Sequence, residues 1–309
     1  MADTVTYRNP EALATPEWLA EHLDDPSVRV VDARFAIRPA DEGTLVGAGE
    51  RDAYREAHIP GAVFVDVMSD LSDPDDPSVV VPPERFEELM GRLGIGDETT
   101  VVVYDSQGGT WAARLWWALR YYGHDAVMLL DGGFTCWQAK GFPLDSEVPD
   151  PPSATFTVRV RPGLRVDGDQ VAHAIGRDDV CIVDALPETF FTGAARLYPS
   201  HRAGHIPTAH NVPAPSHIDP ATHRLRSATE LARLWEPVGL APSRRVITYC
   251  GGGVFGAFAL FALHVMGHEN AALYDASWME WGADPSRPVE TGPTAAAQDQ
   301  HQPTNPRRQ

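Results

Sequence analysis

Short apolar, β-branched runs alternate with amphipathic stretches along most of this chain. In the first half, residues 28–31, 101–104 and 126–130 are brief and almost wholly apolar, which predicts buried strands, while 84–93 and 112–122 carry helical spacing. The second half repeats the scheme, with strands predicted at 180–183, 246–249 and 271–274 and helices at 229–235 and 257–266. Strand and helix in alternation predict an α/β fold in which a central parallel sheet is covered by helices on both faces.

The two halves are copies of one unit. Asp32-Ala33 returns as Asp184-Ala185, His58-Ile59-Pro60 as His205-Ile206-Pro207, Tyr104 as Tyr249, Gly123-His124 as Gly267-His268, and Trp137 as Trp281. The separations fall from 152 to 144 residues and then hold, as a tandem duplication with early insertions requires. A length of 309 residues suits two such domains. We expect a first domain over 1–144, a linker over 145–155 marked by Pro149, Pro151 and Pro152, a second domain over 156–289, and a polar, disordered tail over 290–309.

Composition narrows the partners. A net charge of −18 repels nucleic acid and anionic membrane, and the apolar run 257–266 is too short to span a bilayer. Three cysteines, Cys136, Cys181 and Cys250, form no C-x-x-C pair and leave one thiol over under any pairing. Together with a start lacking signal-peptide character, this leads us to expect a soluble cytoplasmic protein.

Candidate chemistry sits at Cys250, inside Y-C-G-G-G-V-F-G-A at 249–257. The cysteine stands where a strand stops and a helical run begins. Gly251, Gly252 and Gly253, followed by Val254 and Phe255, can curl so that consecutive N–H groups turn towards the sulfur, and the helix start adds positive field. An ordinary thiol, with a pKa of about 8.5, is mostly protonated at neutral pH, and such a cradle is expected to favour the thiolate. The duplication adds an asymmetry, because the first half places Asp105 where the second places Cys250. Only one half carries the thiol, and the other is expected to form a wall of the crevice.

The order and spacing of several motifs resemble the two-domain sulfurtransferases, namely thiosulfate sulfurtransferase (rhodanese) and mercaptopyruvate sulfurtransferase. The motifs are H-I-P-G-A at 58–62, L-W-W-A-L-R-Y-Y-G-H at 115–124, D-G-G-F-T-C-W at 131–137, G-H-I-P at 204–207, the Cys250 loop, and W-M-E-W-G at 278–282. The resemblance implies a rhodanese-like fold in both halves. It also implies a Cys250 persulfide that passes a sulfane sulfur from a small donor to a thiol, cyanide or protein-cysteine acceptor, with no cofactor and no metal.

The loop departs from both donor types. Basic residues that follow the cysteine in thiosulfate-preferring relatives are replaced by glycines, and the Ser and Thr of the mercaptopyruvate pattern C-G-S-G-V-T fall at Gly252 and Phe255. The expected first-domain His falls at Val79, and the family's carboxylate-binding arginines fall at Leu186 and near Phe190 and Tyr198. Arg196 and Arg202 stand close enough to substitute, and a guanidinium fork suits a carboxylate. A donor less charged than thiosulfate becomes more plausible on these grounds. Cysteine phosphatases hold a thiolate similarly, but need an Arg at the position of Gly256. A sulfur-carrying scaffold without turnover is the remaining alternative. Asp32, Asp184, His58 and His205 recur regardless of the cysteine, so structural roles are expected for them.

Overall fold

The computed structural model describes residues 5–39 and 45–293. The first half builds a parallel sheet from β1 (Leu13–Ala14), β2 (Val28–Asp32), β5 (Val63–Phe64), β6 (Thr100–Tyr104) and β7 (Val127–Leu130), in the order β1-β7-β6-β2-β5. Between β2 and β5 the chain inserts an antiparallel hairpin of β3 (Phe35–Pro39) and β4 (Leu45–Gly49). The second half uses β8 (Arg165–Val166), β9 (Val180–Asp184), β10 (His210–Asn211), β11 (Arg245–Tyr249) and β12 (Ala271–Tyr274). Its parallel order, β8-β12-β11-β9-β10, is that of the first sheet. Helices α1 (Pro16–Glu21), α2 (Arg51–Glu56), α3 (Pro83–Arg92), α4 (Ala112–Tyr121) and α5 (Gly133–Ala139) belong to the first half. The second contributes α6 (Gly168–Ala174), α7 (Glu188–Phe191), α8 (Ala228–Trp235), α9 (Val254–Val265) and α10 (Ser277–Trp281).

The repeated residues repeat their contacts. Tyr104 and Tyr249, at the ends of the central strands, accept the N–H of Ile59 and Ile206 on their hydroxyls. His58 and His205 bond through Nδ1 to the carbonyls of Tyr54 and Phe191, and their N–H groups bond to the carbonyls of Asp145 and Glu290. Trp137 and Trp281 donate Nε1–H to the carbonyls of Pro143 and Pro288. These ties fasten the end of each half back onto its H-I-P turn. They also correct the expected tail: Glu290 and Gly292 are bonded, to His205 and Thr192, so order continues past 290. The rest of the expected tail, from 294, lies outside the described residues.

The halves are joined by their most buried helices. Both α4 and α9 are buried on nearly every face because each lies between its own sheet and the other helix. Trp116 meets Phe261 edge-on at 5.0 Å, and one apolar cluster runs through both halves. No helix among the described residues is long and apolar enough to cross a membrane.

A cradled thiol and its carboxylate counterpart

Cys250 follows β11, the middle strand of its sheet, and the loop that succeeds it turns directly into α9. The helix begins at Val254, three residues before the sequence-based start, because Gly253 adopts the left-handed backbone (φ +79°) and forms the N-cap. A side chain there would be strained, and its Cβ would lie 2.6 Å from Arg114 Nη1 and 2.8 Å from the carbonyl oxygen of Asp275. The earlier start has a chemical consequence. Phe255 and Gly256 become first-turn residues, whose N–H groups have no intrahelical partner, and with the N–H of Gly252 they favour the ionised form of the Cys250 sulfur.

The glycines do not share one role. A Cβ on Gly251 would come within 2.7 Å of the Leu197 side chain, so close approach fixes that residue, whereas Gly252 would meet nothing nearer than 3.7 Å. Gly252→Ser is therefore expected to fold with a change of no more than about 0.5 kcal/mol, checked by denaturant unfolding.

A second segment fixes the cysteine's main chain. Ser277 opens α10 with φ +54°, and its Oγ accepts the Cys250 N–H at 3.1 Å while donating to the Tyr274 carbonyl at 2.8 Å. The carbonyls of Cys250 and Gly251 accept the N–H groups of Trp278 and Met279. The first half puts Gly133 at the matching position with φ +56°, so this turn belongs to the fold. Only the second half fills it with a hydroxyl. Sequence reading missed Ser277, although aligning the two repeats places it opposite Gly133.

The first half shows what such a cradle holds. Asp105 Oδ1 accepts the N–H groups of Gln107 and Gly109 at 2.7 and 2.9 Å, and Oδ2 accepts those of Trp111 and Ala112 at 2.6 and 3.0 Å. Amides two and six residues after the anchor act on it in both halves: Gln107 and Trp111 bond to Asp105, and those of Gly252 and Gly256 favour the ionised Cys250. A carboxylate thus occupies one copy of an anion cradle and a sulfur the other. Asp105→Ala should cost about 2–4 kcal/mol, since it leaves four buried amides unpaired, and denaturant unfolding measures the loss.

Burial sets the resting state of the thiol. Cys250 is 2 % exposed, and burial pushes its pKa up, the Gly256, Gly252 and Phe255 amides pulling it back while the charge of Asp184 pushes it further up. This corrects the expected resting thiolate. The amides favour the thiolate, but they do not outweigh the lost water. Asp184 accounts for part of the difference. In the first half, Asp32 is paired with Arg34 and accepts the Tyr104 hydroxyl, but Leu186 takes the arginine's place in the second. Asp184 accepts the Leu186 N–H on Oδ1, its Oδ2 makes no hydrogen bond among the described residues, and burial pushes its carboxyl up to about 7.

Both halves contribute to the surroundings of the cysteine loop. Leu197, Tyr198 and Met279 lie against Gly251 and Gly252, and Trp111 of the first half meets Phe255 edge-on at 5.9 Å. Asp275, fully buried beneath Gly253, accepts the Val80 N–H at 2.7 Å and pairs with Arg114, tying the wall around Val79 to the cysteine loop. A cavity of about 850 Å³ lies elsewhere, at the far end of α9 beside Trp235, Leu263 and Met266, and none of its lining residues is a cysteine.

The two candidate arginines part company. Arg202 donates to the carbonyls of Trp281, Gly282, Asp284 and Arg287, closing the end of α10, and is thereby removed from donor binding. Arg196 is exposed, one residue before Leu197, and bonds to the His201 carbonyl. The other thiols are buried: Cys181 within the sheet, where burial raises its pKa to about 11, and Cys136 beside Arg224.

Comparison with known proteins supplies the family. A model of the rhodanese-like domain matches twice, at residues 15–140 and 167–284. The sulfur carrier protein TtuD of Thermus thermophilus is 34 % identical over 93 % of this chain and 99 % of its own, and the 3-mercaptopyruvate sulfurtransferase of Escherichia coli K12 is 35 % identical over 89 % and 96 %. The crystal structure of SseA from Escherichia coli superposes with a TM-score of 0.76 at 33 % identity, covering 86 % of this chain and 98 % of that one.

Proposed function

The chain belongs to the rhodanese-like family as a tandem-domain sulfurtransferase, and we propose that Cys250 is the residue that carries the sulfur. The observation that carries this reading is the pair of matching cradles, one filled by the Asp105 carboxylate and the other aimed at the Cys250 sulfur. Gly251, Gly252, Gly253, Val254 and Phe255 form the turn that aims it. The first half, over 1–144, supplies the wall and the second, over 156–289, the nucleophile.

The Cys250 thiolate attacks the sulfane sulfur of the donor. A new S–S bond forms, and the donor's bond to that sulfur breaks with its electron pair on the leaving group: sulfite from thiosulfate, or the enolate of pyruvate from 3-mercaptopyruvate. The resulting Cys250–S–S⁻ keeps its charge near the amides of Gly252, Phe255 and Gly256. An acceptor such as cyanide, a thiol or a protein cysteine then attacks the outer sulfur, and the thiolate returns. Transfer in two covalent steps makes the kinetics ping-pong, so double-reciprocal plots of donor against cyanide should be parallel. Intersecting lines would overturn the persulfide. Arg196 is retained as a donor-binding residue at the rim. All three cysteines are free, which supports a cytoplasmic, reducing setting.

The buried thiol also gives a pH signature. Cys250 of the sulfur-free protein should react with iodoacetamide at neutral pH more slowly than an exposed thiol, the rate rising as pH increases through its raised pKa. Asp184→Asn removes the charge that opposes the thiolate, so the part of the profile above the carboxyl's own pKa of about 7 should move to lower pH, while the rate at pH 7 rises by no more than about twofold. An unmoved profile in a folded variant would separate Asp184 from the sulfur.

A further inference from the structure

We propose that the groove at the far end of α9 is a docking site for an extended segment of a partner protein, anchored there by one aromatic side chain. The groove is separate from the cysteine loop, because the 12 residues of α9, about 18 Å of helix, stand between them. The duplication shows what such a groove holds. In the first half the same groove lies between α3, the turn at Gly94 and the end of α4, and residues 151–159 run along it. The Ala154 N–H donates to the Gly91 carbonyl at 3.0 Å, and the Thr155 carbonyl accepts the Asp97 N–H at 3.2 Å. The carboxylates of Glu87 and Asp97 accept the N–H groups of Val158 and Thr157 at 2.8 and 2.7 Å. Phe156 is the anchor: it is 5 % exposed, its ring meeting Phe86 edge-on at 5.5 Å and His124 at 5.6 Å.

The second half keeps the groove without these contents. Gly239 repeats the left-handed turn of Gly94, with φ +66° against +68°, and the His268 N–H bonds to the Leu263 carbonyl as that of His124 bonds to Leu119. Only the near end is covered. Arg8 packs at Gly267 as Arg159 packs at Gly123, and the N–H groups of Arg8 and Asn9 bond to the Val265 carbonyl. Three residues before Arg8, where Phe156 precedes Arg159, stands Val5, which is 41 % exposed beside the cavity of about 850 Å³. Leu231 and Met266 stand where Phe86 and Tyr122 do, which removes two rings from the wall and leaves room for one. Ala232 replaces Glu87 and Pro242 replaces Asp97, so both carboxylates and one N–H are gone as well. An occupant is therefore held mainly by its ring, the kind of anchor that dominates small interfaces.

This chain has no ring to spare. Residues 1–4 and 294–309 contain no Phe, Tyr or Trp, and no aromatic side chain among the described residues is exposed. Neither the chain's own ends nor a second copy can fill the place of Phe156, so the aromatic comes from another protein.

The probe is a labelled peptide of residues 150–161, the sequence that fills the first groove, titrated into the full chain with fluorescence anisotropy as the readout. The wild type should bind it saturably, and Phe156→Ala in the peptide should weaken binding about tenfold or more. Ala232→Glu combined with Pro242→Asp restores both carboxylates and the N–H, and should tighten binding of the same peptide about tenfold. A gain of this kind does not arise from a misfolded variant. No binding to the wild type, equal affinity for the two peptides, or no gain in the double variant would overturn the proposal. Binding that appears only when residues 1–4 are removed, or only as the peptide breaks a dimer of this chain, would give the groove to its own start or to a second copy and overturn it as well.

Discussion

Cys250→Ser should eliminate sulfur transfer, lowering turnover by a factor on the order of 10⁴ or more while leaving the fold in place. A serine oxygen fits the same amides, and Ser277 and Trp278 hold the main chain at 250 without touching the side chain. Yet an alcohol neither ionises in this pH range nor forms a stable bond to sulfane sulfur. Thiocyanate formation from thiosulfate and cyanide measures the activity, and thermal unfolding shows whether the variant is folded. Retained turnover would move the chemistry to another residue.

Arg114→Ala should remove about 3–5 kcal/mol of stability, the usual effect of breaking one side of a buried ion pair. Arg114 is 2 % exposed, its guanidinium meets Asp275 at 2.5 Å, and it stacks over Trp117 at 4.9 Å. Without it, the fully buried Asp275 keeps the Val80 amide and an ion pair to Arg165 at 3.5 Å, too little to compensate for its charge. The pair also lies against Gly253, so loosening it should disturb the helix start that presents Phe255 and Gly256. Denaturant unfolding gives the energy. A loss below about 1 kcal/mol would mean that the pair contributes little to joining the halves.

Much of this arrangement was legible in the residues. The duplication could be read from His58 and His205, Tyr104 and Tyr249, Trp137 and Trp281, because each pair makes the same tie to its own half. The contrast of Asp105 with Cys250 could be read in the same way, and the long apolar runs gave the strands that end at the site. The two-residue strands β1, β5, β8 and β10 escaped notice because so few residues carry no period. The hairpin β3–β4 lies in a Pro- and Gly-containing stretch and was missed for a similar reason.

What failed to show in sequence was long-range. The tie between Arg114 and Asp275 spans 161 residues, and nothing near either residue signals it. Burial of the sulfur was equally hidden, which is why the cradle's pull on the thiol was overestimated. Arg202 looked available because the carbonyls that occupy it lie 79 to 85 residues away. The helix start was placed at 257 because Val254, Phe255 and Gly256 read as loop; only the left-handed turn at Gly253 makes them a first turn.

The central claim is a sulfur atom held on one side chain, and mass spectrometry sees it directly. The protein should be incubated with thiosulfate or 3-mercaptopyruvate, freed of donor, weighed intact and then digested. The account predicts a gain of one sulfur on the peptide containing Cys250, lost on addition of cyanide. No gain from either donor, or a sulfur found on Cys136 or Cys181 instead, would contradict it.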